Sequence, residues 1–104
     1  MTDHILVMCT AGNKINADQI ASEIINNRLA ACAQISRIES YYRWEDRAHH
    51  DPEFLILIKS KKEKFLQIEA LIKQIHEYQL PEISVIHISG GSKEYLSWID
   101  DSLA

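Results

Sequence analysis

Two stretches of this chain are apolar at every consecutive position: Ile5-Leu6-Val7-Met8 and Phe54-Leu55-Ile56-Leu57-Ile58. Side chains of a strand alternate between the two faces of its sheet. A strand with one wet face alternates apolar and polar residues, and these two do not. Ile5 and Val7 point one way and Leu6 and Met8 the other. Phe54, Ile56 and Ile58 oppose Leu55 and Leu57. Both faces of a sheet built on these strands need cover, and that requirement governs what the rest of the chain can be.

The remaining segments supply cover for one face. Residues 16–29 read as a helix with Asn16 as its cap and Gln19 three positions on. Ile20, Ile24, Ile25 and Leu29 recur there at helical spacing. Ser60-Lys61-Lys62-Glu63 has the form of a capping box opening a second helix, with Phe65, Ile68, Leu71, Ile72 and Ile75 as its buried stripe. That helix ends near His76. Residues 33–44 read as a long strand ending in Tyr41-Tyr42-Arg43-Trp44. A polar turn over residues 45–48 returns the chain into a strand at residues 50–59, with Pro52 near its start. Residues 82–89 form the last strand, and after Gly90-Gly91, Ser92 caps a short final helix.

The order β-α-β-β-α-β-α begins with the split βαβ pattern. The 104 residues therefore form one domain, residues 1–104. Its predicted class is α+β: a ferredoxin-like βαββαβ sandwich with an extra C-terminal helix and a long hairpin between the second and third strands. Two long helices cover one sheet face. Another subunit is the simplest cover for the second.

Charge and composition narrow the function. Eleven basic against fifteen acidic residues give a formal charge of −4, which argues against a general nucleic-acid partner. No stretch is long enough to span a bilayer, and no basic region precedes the first apolar run. The expected setting is the cytoplasm, with Cys9 and Cys32 as free thiols.

Several residues invite chemical readings. Cys9 ends the first strand and is either a small buried residue or a ligand. Cys32, in Ala30-Ala31-Cys32-Ala33, reads as core. His49-His50-Asp51 looks metal-like, but adjacent histidines on a strand face opposite sides. His87 reads as a packed histidine. Tyr42, Trp44, Tyr78 and Trp98 either line a cleft or cement an interface. Lys59 is suited to an anion in such a cleft or to pairing with Glu82. Cys9 with His76 can be drawn as nucleophile and base, but no depressed thiol pKa or oxyanion site is visible. An enzyme is not expected.

Six motifs occur in a characteristic order: Val7-Met8-Cys9-Thr10-Ala11, Leu29-Ala30-Ala31-Cys32-Ala33, Tyr41-Tyr42-Arg43-Trp44-Glu45, Ile58-Lys59-Ser60, Tyr78-Gln79-Leu80-Pro81-Glu82-Ile83 and Tyr95-Leu96-Ser97-Trp98-Ile99. Together they resemble the CutA family of divalent-cation (copper) tolerance proteins. The resemblance implies a homotrimer whose sheets pack around a threefold axis and whose hairpins contact neighbouring subunits. It implies a role in the response to metal ions and binding of copper or a related divalent cation, with no organic cofactor. The family's ligand positions fall on Cys9, Ile75 and His76, so one of two histidines is absent, and Glu82 is the candidate to join Cys9 and His76. The architecture is also similar to the PII signalling trimers. That supports an alternative: a sensor or scaffold holding a small ligand or partner protein in clefts between subunits. One departure lies in the hairpin, where Asp46 stands in place of the family's usual glycine.

Overall fold

The computed structural model describes residues 2–104. The chain runs β1 (His4–Ala11), α1 (Lys14–Asn26), β2 (Cys32–Trp44), β3 (Arg47–Lys61), α2 (Phe65–Ile75), β4 (Ile83–His87) and α3 (Lys93–Leu103). The four strands form one sheet in the order β2-β3-β1-β4, with antiparallel pairing throughout. This is the expected ferredoxin-like sandwich with its extra C-terminal helix.

The two-faced strands occupy the middle of the sheet. Ile5, Val7, Cys9 and Ala11 of β1 and Ile56 and Ile58 of β3 are buried together with Ile20 and Ile24 of α1 and Ile68 and Ile72 of α2. The other face is only partly covered. Leu6, Met8, Leu55 and Leu57 remain half-buried there. Their register places Leu6 opposite Lys59, and Met8 opposite Leu57. α3 lies across the end of this face near His4. His4 Nε2 is 2.9 Å from Asp100 Oδ1, and Lys61 Nζ is 3.3 Å from the same oxygen. Lys59 Nζ lies 3.2 Å from the Tyr95 hydroxyl.

Both predicted caps of the long helices move. α1 starts earlier than expected: Asn13 is its cap, accepting from the Asn16 N–H at 2.8 Å. Asn16 is instead 1% exposed, inside the first turn. The helix also stops earlier than residue 29. Leu29 N–H donates to Ile24 O and Arg28 N–H to Ile25 O, with Arg28 at φ 56°. That is a Schellman ending, with buried Ile24 and Leu29 as its apolar pair. Ser60 does not cap α2. It is the penultimate residue of β3, fully buried, and its hydroxyl donates to Leu29 O at 2.6 Å. The ladder to β1 extends through Lys61, so tertiary pairing overrides the local capping motif. A short 3₁₀ turn (Lys62–Lys64) precedes α2. Ser92 does cap α3, accepting from the Tyr95 N–H.

The hairpin is longer and tighter than expected. β2 and β3 pair from Cys32–Lys59 to Trp44–Arg47, leaving Glu45 and Asp46 as the whole turn. β1 pairs with β3 only from Phe54 onward, so the outer part of the hairpin is a two-stranded ribbon. Pro52 falls in this ribbon, where one strand edge is open. The molecule is consequently elongated, 44 Å along its longest axis.

Glu45 and Asp46 have φ of 51° and 62°. A two-residue turn with both φ positive is the type I′ hairpin connection, which favours glycine at its second position. Asp46→Gly is expected to raise stability by about 0.5–1 kcal/mol. Urea unfolding of the two proteins at one concentration checks this, and an unchanged or lower midpoint contradicts it.

Candidate functional site

A concavity of about 780 Å³ opens where the hairpin meets the end of β1 and the loop after α2. Its walls include Thr10, Tyr42, Trp44, Glu53, Tyr78 and Glu82. Register explains the convergence. Cys9 pairs with Ile83, so Glu82 falls beside Thr10 on the β4 side. Ala11 pairs with Phe54, so Glu53 falls just beyond the end of β1 on the other side. Tyr42 and Trp44 come down the hairpin on alternate residues.

The groove is acidic as well as aromatic. Glu39 and Glu77 line it together with Glu53 and Glu82. Four carboxylates on low-dielectric aromatic walls favour positive over negative ligands. Two phenols are engaged by carboxylates nearby. The Tyr78 hydroxyl donates to Glu53 at 2.7 Å, and the Tyr42 hydroxyl donates to Asp51 at 2.6 Å. Partial burial and the Glu53 hydrogen bond push the Tyr78 phenol above its ordinary pKa. The Asp51 hydrogen bond does the same to Tyr42.

Tyr78 is seated by a chain of polar contacts. His76, just after α2, places Nε2 2.6 Å from Thr10 O and Nδ1 2.9 Å from the Tyr78 backbone N. Asn16 Nδ2 donates to Ile75 O at 3.1 Å, and Asn16 Oδ1 accepts from Glu77 N at 3.2 Å. The Tyr78 ring then lies against Gly12. A Cβ at Gly12 would sit 2.7 Å from the Tyr78 hydroxyl oxygen, so any larger residue there would make the Tyr78 ring shift. Asn13 Nδ2 donates to Glu77 at 2.9 Å and closes the same junction.

Cys9, His76 and Glu82 are not gathered into one cluster among the described residues. Among the described residues, no three His, Cys, Asp or Glu side chains converge to hold an ion. Cys9 lies on the buried helix side of β1, while Glu82 is exposed on the groove. Burial, followed by the carboxylates of Glu82 and Glu53, pushes the Cys9 thiol from 9.0 up to about 12. Both ring nitrogens of His76 are hydrogen-bonded to the backbone.

The five residues expected at a cleft or an interface fall into two groups. Tyr42, Trp44 and Tyr78 share the groove. Lys59 and Trp98 do not. Trp98 packs tilted against Tyr95, with ring centroids 5.5 Å apart, and the Tyr95 ring carries the Lys59 ammonium at 5.3 Å. Lys59 therefore pairs with Tyr95 rather than with Glu82. Cys32 is half-buried rather than core, and His87 is exposed rather than packed, because each sits on a strand at the edge of the sheet. His49 and His50 stack on Tyr42 and Tyr41 respectively, on opposite faces as anticipated.

Residues 5–102 match the family model of the CutA1 divalent ion tolerance protein. The chain belongs to the CutA family. A divalent-cation tolerance protein CutA from Archaeoglobus fulgidus is 35% identical over 100 residues, spanning 96% of this chain and 98% of the relative. Its counterpart from Yersinia pestis (strain Pestoides F) is 36% identical over 100 residues, 95% of this chain and 84% of the relative. The solved structure of the periplasmic CutA from Archaeoglobus fulgidus superposes with a TM-score of 0.94 at 35% identity, over 97% of this chain and 99% of that one. CutA1 from Oryza sativa gives 0.92 at 36% identity, over 97% and 94%. The CutA resemblance drawn from the motifs and the fold class therefore both hold.

The cytoplasmic placement does not hold. The Archaeoglobus CutA is described as periplasmic, so neither unpaired cysteines nor this composition assigns a compartment within the family. No helix among the described residues is long and apolar enough to cross a membrane.

Sequence reasoning missed Glu39, Glu53 and Glu77 as lining of the groove, and Gly12 and Asn16 as supports of the loop that carries Tyr78. The available signal was register: once β1 pairs with β3 and β4, Glu53 and Glu82 must flank its end.

The Cys9 shift has a sign that can be measured. The folded thiol keeps its proton while the unfolded one ionises above about pH 9, so between about 9 and 12 the unfolded state binds fewer protons. Stability contributed by the buried thiol is full below pH 9 and is lost as pH rises, at up to about 1.4 kcal/mol per pH unit. The tyrosines act in the same direction, so the comparison needed is with Cys9→Ala. Denaturation midpoints from pH 8 to 11 should fall more steeply in the parent protein. Parallel curves would contradict a buried, protonated thiol, as would rapid iodoacetamide labelling of Cys9 in the native protein at neutral pH.

Proposed function

We propose that this chain acts as a homotrimer in divalent-cation tolerance, taking part in the response to metal ions and engaging copper or a related divalent cation. The observation that carries assembly is the half-covered outer sheet face. Met8, Leu55 and Leu57 are only half-buried there. The hairpin ribbon adds Tyr41, 77% exposed, with Tyr42 and Trp44. A two-stranded ribbon is marginal in water without something to pack on. Exposed apolar surface of this kind marks an interaction face. The number three rests on the resemblance to CutA trimers.

The metal role is supported by membership of a family described by divalent ion tolerance. Cys9, His76 and Glu82 remain the proposed contacts on the strength of their chemistry, a thiol, an imidazole and a carboxylate. Because they do not converge as folded, the reading assigns no resident ion to them. It also includes no catalytic step and no organic cofactor. The thiol that a nucleophilic mechanism would use is buried and held protonated, the reverse of an activated nucleophile.

The groove favours a second reading, a sensor or scaffold of PII type. Its volume and aromatic lining suit a small positively charged ligand or a basic segment of a partner protein. A ligand-screen thermal shift that disappears in Trp44→Ala is the expected signature.

Two measurements test the main reading. Light scattering at micromolar concentration should give three times the 12.0 kDa chain mass. Leu57→Asp, which puts a charge on the outer face without touching the helix-side core, should dissociate it. A monomer in the parent protein overturns the assembly. Loss of the gene should lower growth in copper, restored by the parent chain and not by Leu57→Asp. Growth in copper that is unaffected by the loss overturns the tolerance role.

A further inference from the structure

Resting on the reading of the groove as a cleft for a positively charged ligand, we propose that it holds a linear aliphatic polyamine. Thr10, Glu53 and Glu82 take one ammonium, and Tyr42, Trp44 and Tyr78 flank the methylene chain. The lining holds four glutamates and no lysine, arginine or histidine. The lysine and arginine ion pairs lie elsewhere, at Lys14–Asp18, Arg43–Asp46, Lys61–Asp100 and Lys73–Glu69. Glu39 has His50 Nε2 at 2.7 Å. Among the described residues, no lysine or arginine neutralises the groove. The field of these carboxylates reaches the end of β1, where burial first, and then Glu82 and Glu53, keep the Cys9 thiol protonated.

Thr10 is an independent sign of a ligand. It is 6% exposed, and it lines the groove from the sheet face it shares with Leu6 and Met8. Its carbonyl is engaged by His76 at 2.6 Å and by the Cys9 thiol at 3.8 Å. Its hydroxyl has no hydrogen-bond partner among the described residues, and a polar group so deeply buried ordinarily has one. An ammonium carries three donors. One N–H can go to this hydroxyl and the others to Glu82 on the β4 side and Glu53 on the β3 side. Glu53 accepts from the Tyr78 hydroxyl and keeps lone pairs to spare. The carboxylates are dispersed, and among the described residues no three ligand side chains converge. A magnesium or calcium ion gathers several oxygens around one point, whereas dispersed carboxylates match charges strung along a chain. Glu39 and Glu77 remain for a second ammonium. The methylenes between charges need apolar contact, and the aromatic rings supply it while their faces attract cations. A volume of about 780 Å³ suits an organic ligand, whose sites run to about 300–1,000 Å³.

The probe is spermidine, titrated by calorimetry into the full chain at one low ionic strength, beside putrescine and butylamine. Affinity should fall in that order as ammonium groups are removed. Glu82→Gln and Thr10→Val keep the size of the side chain, and each should weaken spermidine about five- to tenfold, the equivalent of one net hydrogen bond. Trp44→Ala should weaken it about two- to fivefold. Asp101→Asn removes the same charge as Glu82→Gln, but from α3 at the far end of the sheet, and should leave the affinity unchanged. Three outcomes overturn the proposal. One is butylamine binding as tightly as spermidine. Another is equal weakening in Glu82→Gln and Asp101→Asn, which is attraction to net charge alone. The third is no spermidine binding, which includes a groove filled by a second copy of the chain. Arginine amide separates that last failure from failure of the groove reading itself. A thermal shift by arginine amide that is lost in Trp44→Ala leaves the groove a cleft for positive ligands and removes only the polyamine, whereas no shift removes both.

Discussion

β1 and β3 pair antiparallel along the whole length of β1, from His4 opposite Lys61 to Ala11 opposite Phe54. The pairing fixes which face each side chain meets. Once Ile5, Val7 and Cys9 turn toward the helices, Leu6 and Met8 must turn away. A slip of one residue would exchange the two sets. The slip is resisted because the inner set meets α1 and α2 with no exposed surface at Val7, Cys9, Ile56 or Ile58. The helices, the hairpin extension and the position of the groove all follow from that register.

The groove is a consequence of where strands stop. β1 ends at Ala11 while β3 continues outward into the hairpin. The step between them leaves a recess, which the loop after α2 borders with Tyr78. His76 and Asn16 hold that loop to the β1–α1 junction through backbone groups alone. Two side chains of the kind often associated with catalysis or metal binding therefore spend their polar atoms on chain geometry. The site owes its shape to them and its charge to the glutamates.

Periodicity was enough to reveal the strands, the helical stripes and the requirement for cover on the second face. The misread features are those in which a local pattern competes with a distant partner. Ser60 has the local form of a cap, yet the hydroxyl is used 31 residues away on Leu29 O, because the β-ladder runs past it. Asn16 likewise looks like a cap and is instead a bridge to residues 59 and 61 positions further on. The state of His76 depends on Thr10 O, 66 residues earlier, and no spacing rule carries that information. Lys59 and Trp98, read from residue type as cleft or interface residues, do not share the groove with Tyr42, Trp44 and Tyr78. α3 draws them to the opposite end of the sheet, a placement that rests on the His4 and Lys61 contacts with Asp100.

The bridging role of Asn16 bears on the order in which the molecule takes shape. The long hairpin joins neighbours in sequence, so its turn can close early and at small entropic cost. The junction under the groove joins residues 10, 13 and 16 to residues 75–78, and closing a loop that long is slow and unrewarded until both strands and both helices are in place. During synthesis, residue 78 emerges after three quarters of the chain. The recess is thus among the last features to form. It is also held by few buried apolar contacts, which puts it among the first to open when stability falls. The part of the fold best suited to respond to its surroundings is the part that chain topology leaves least firmly closed.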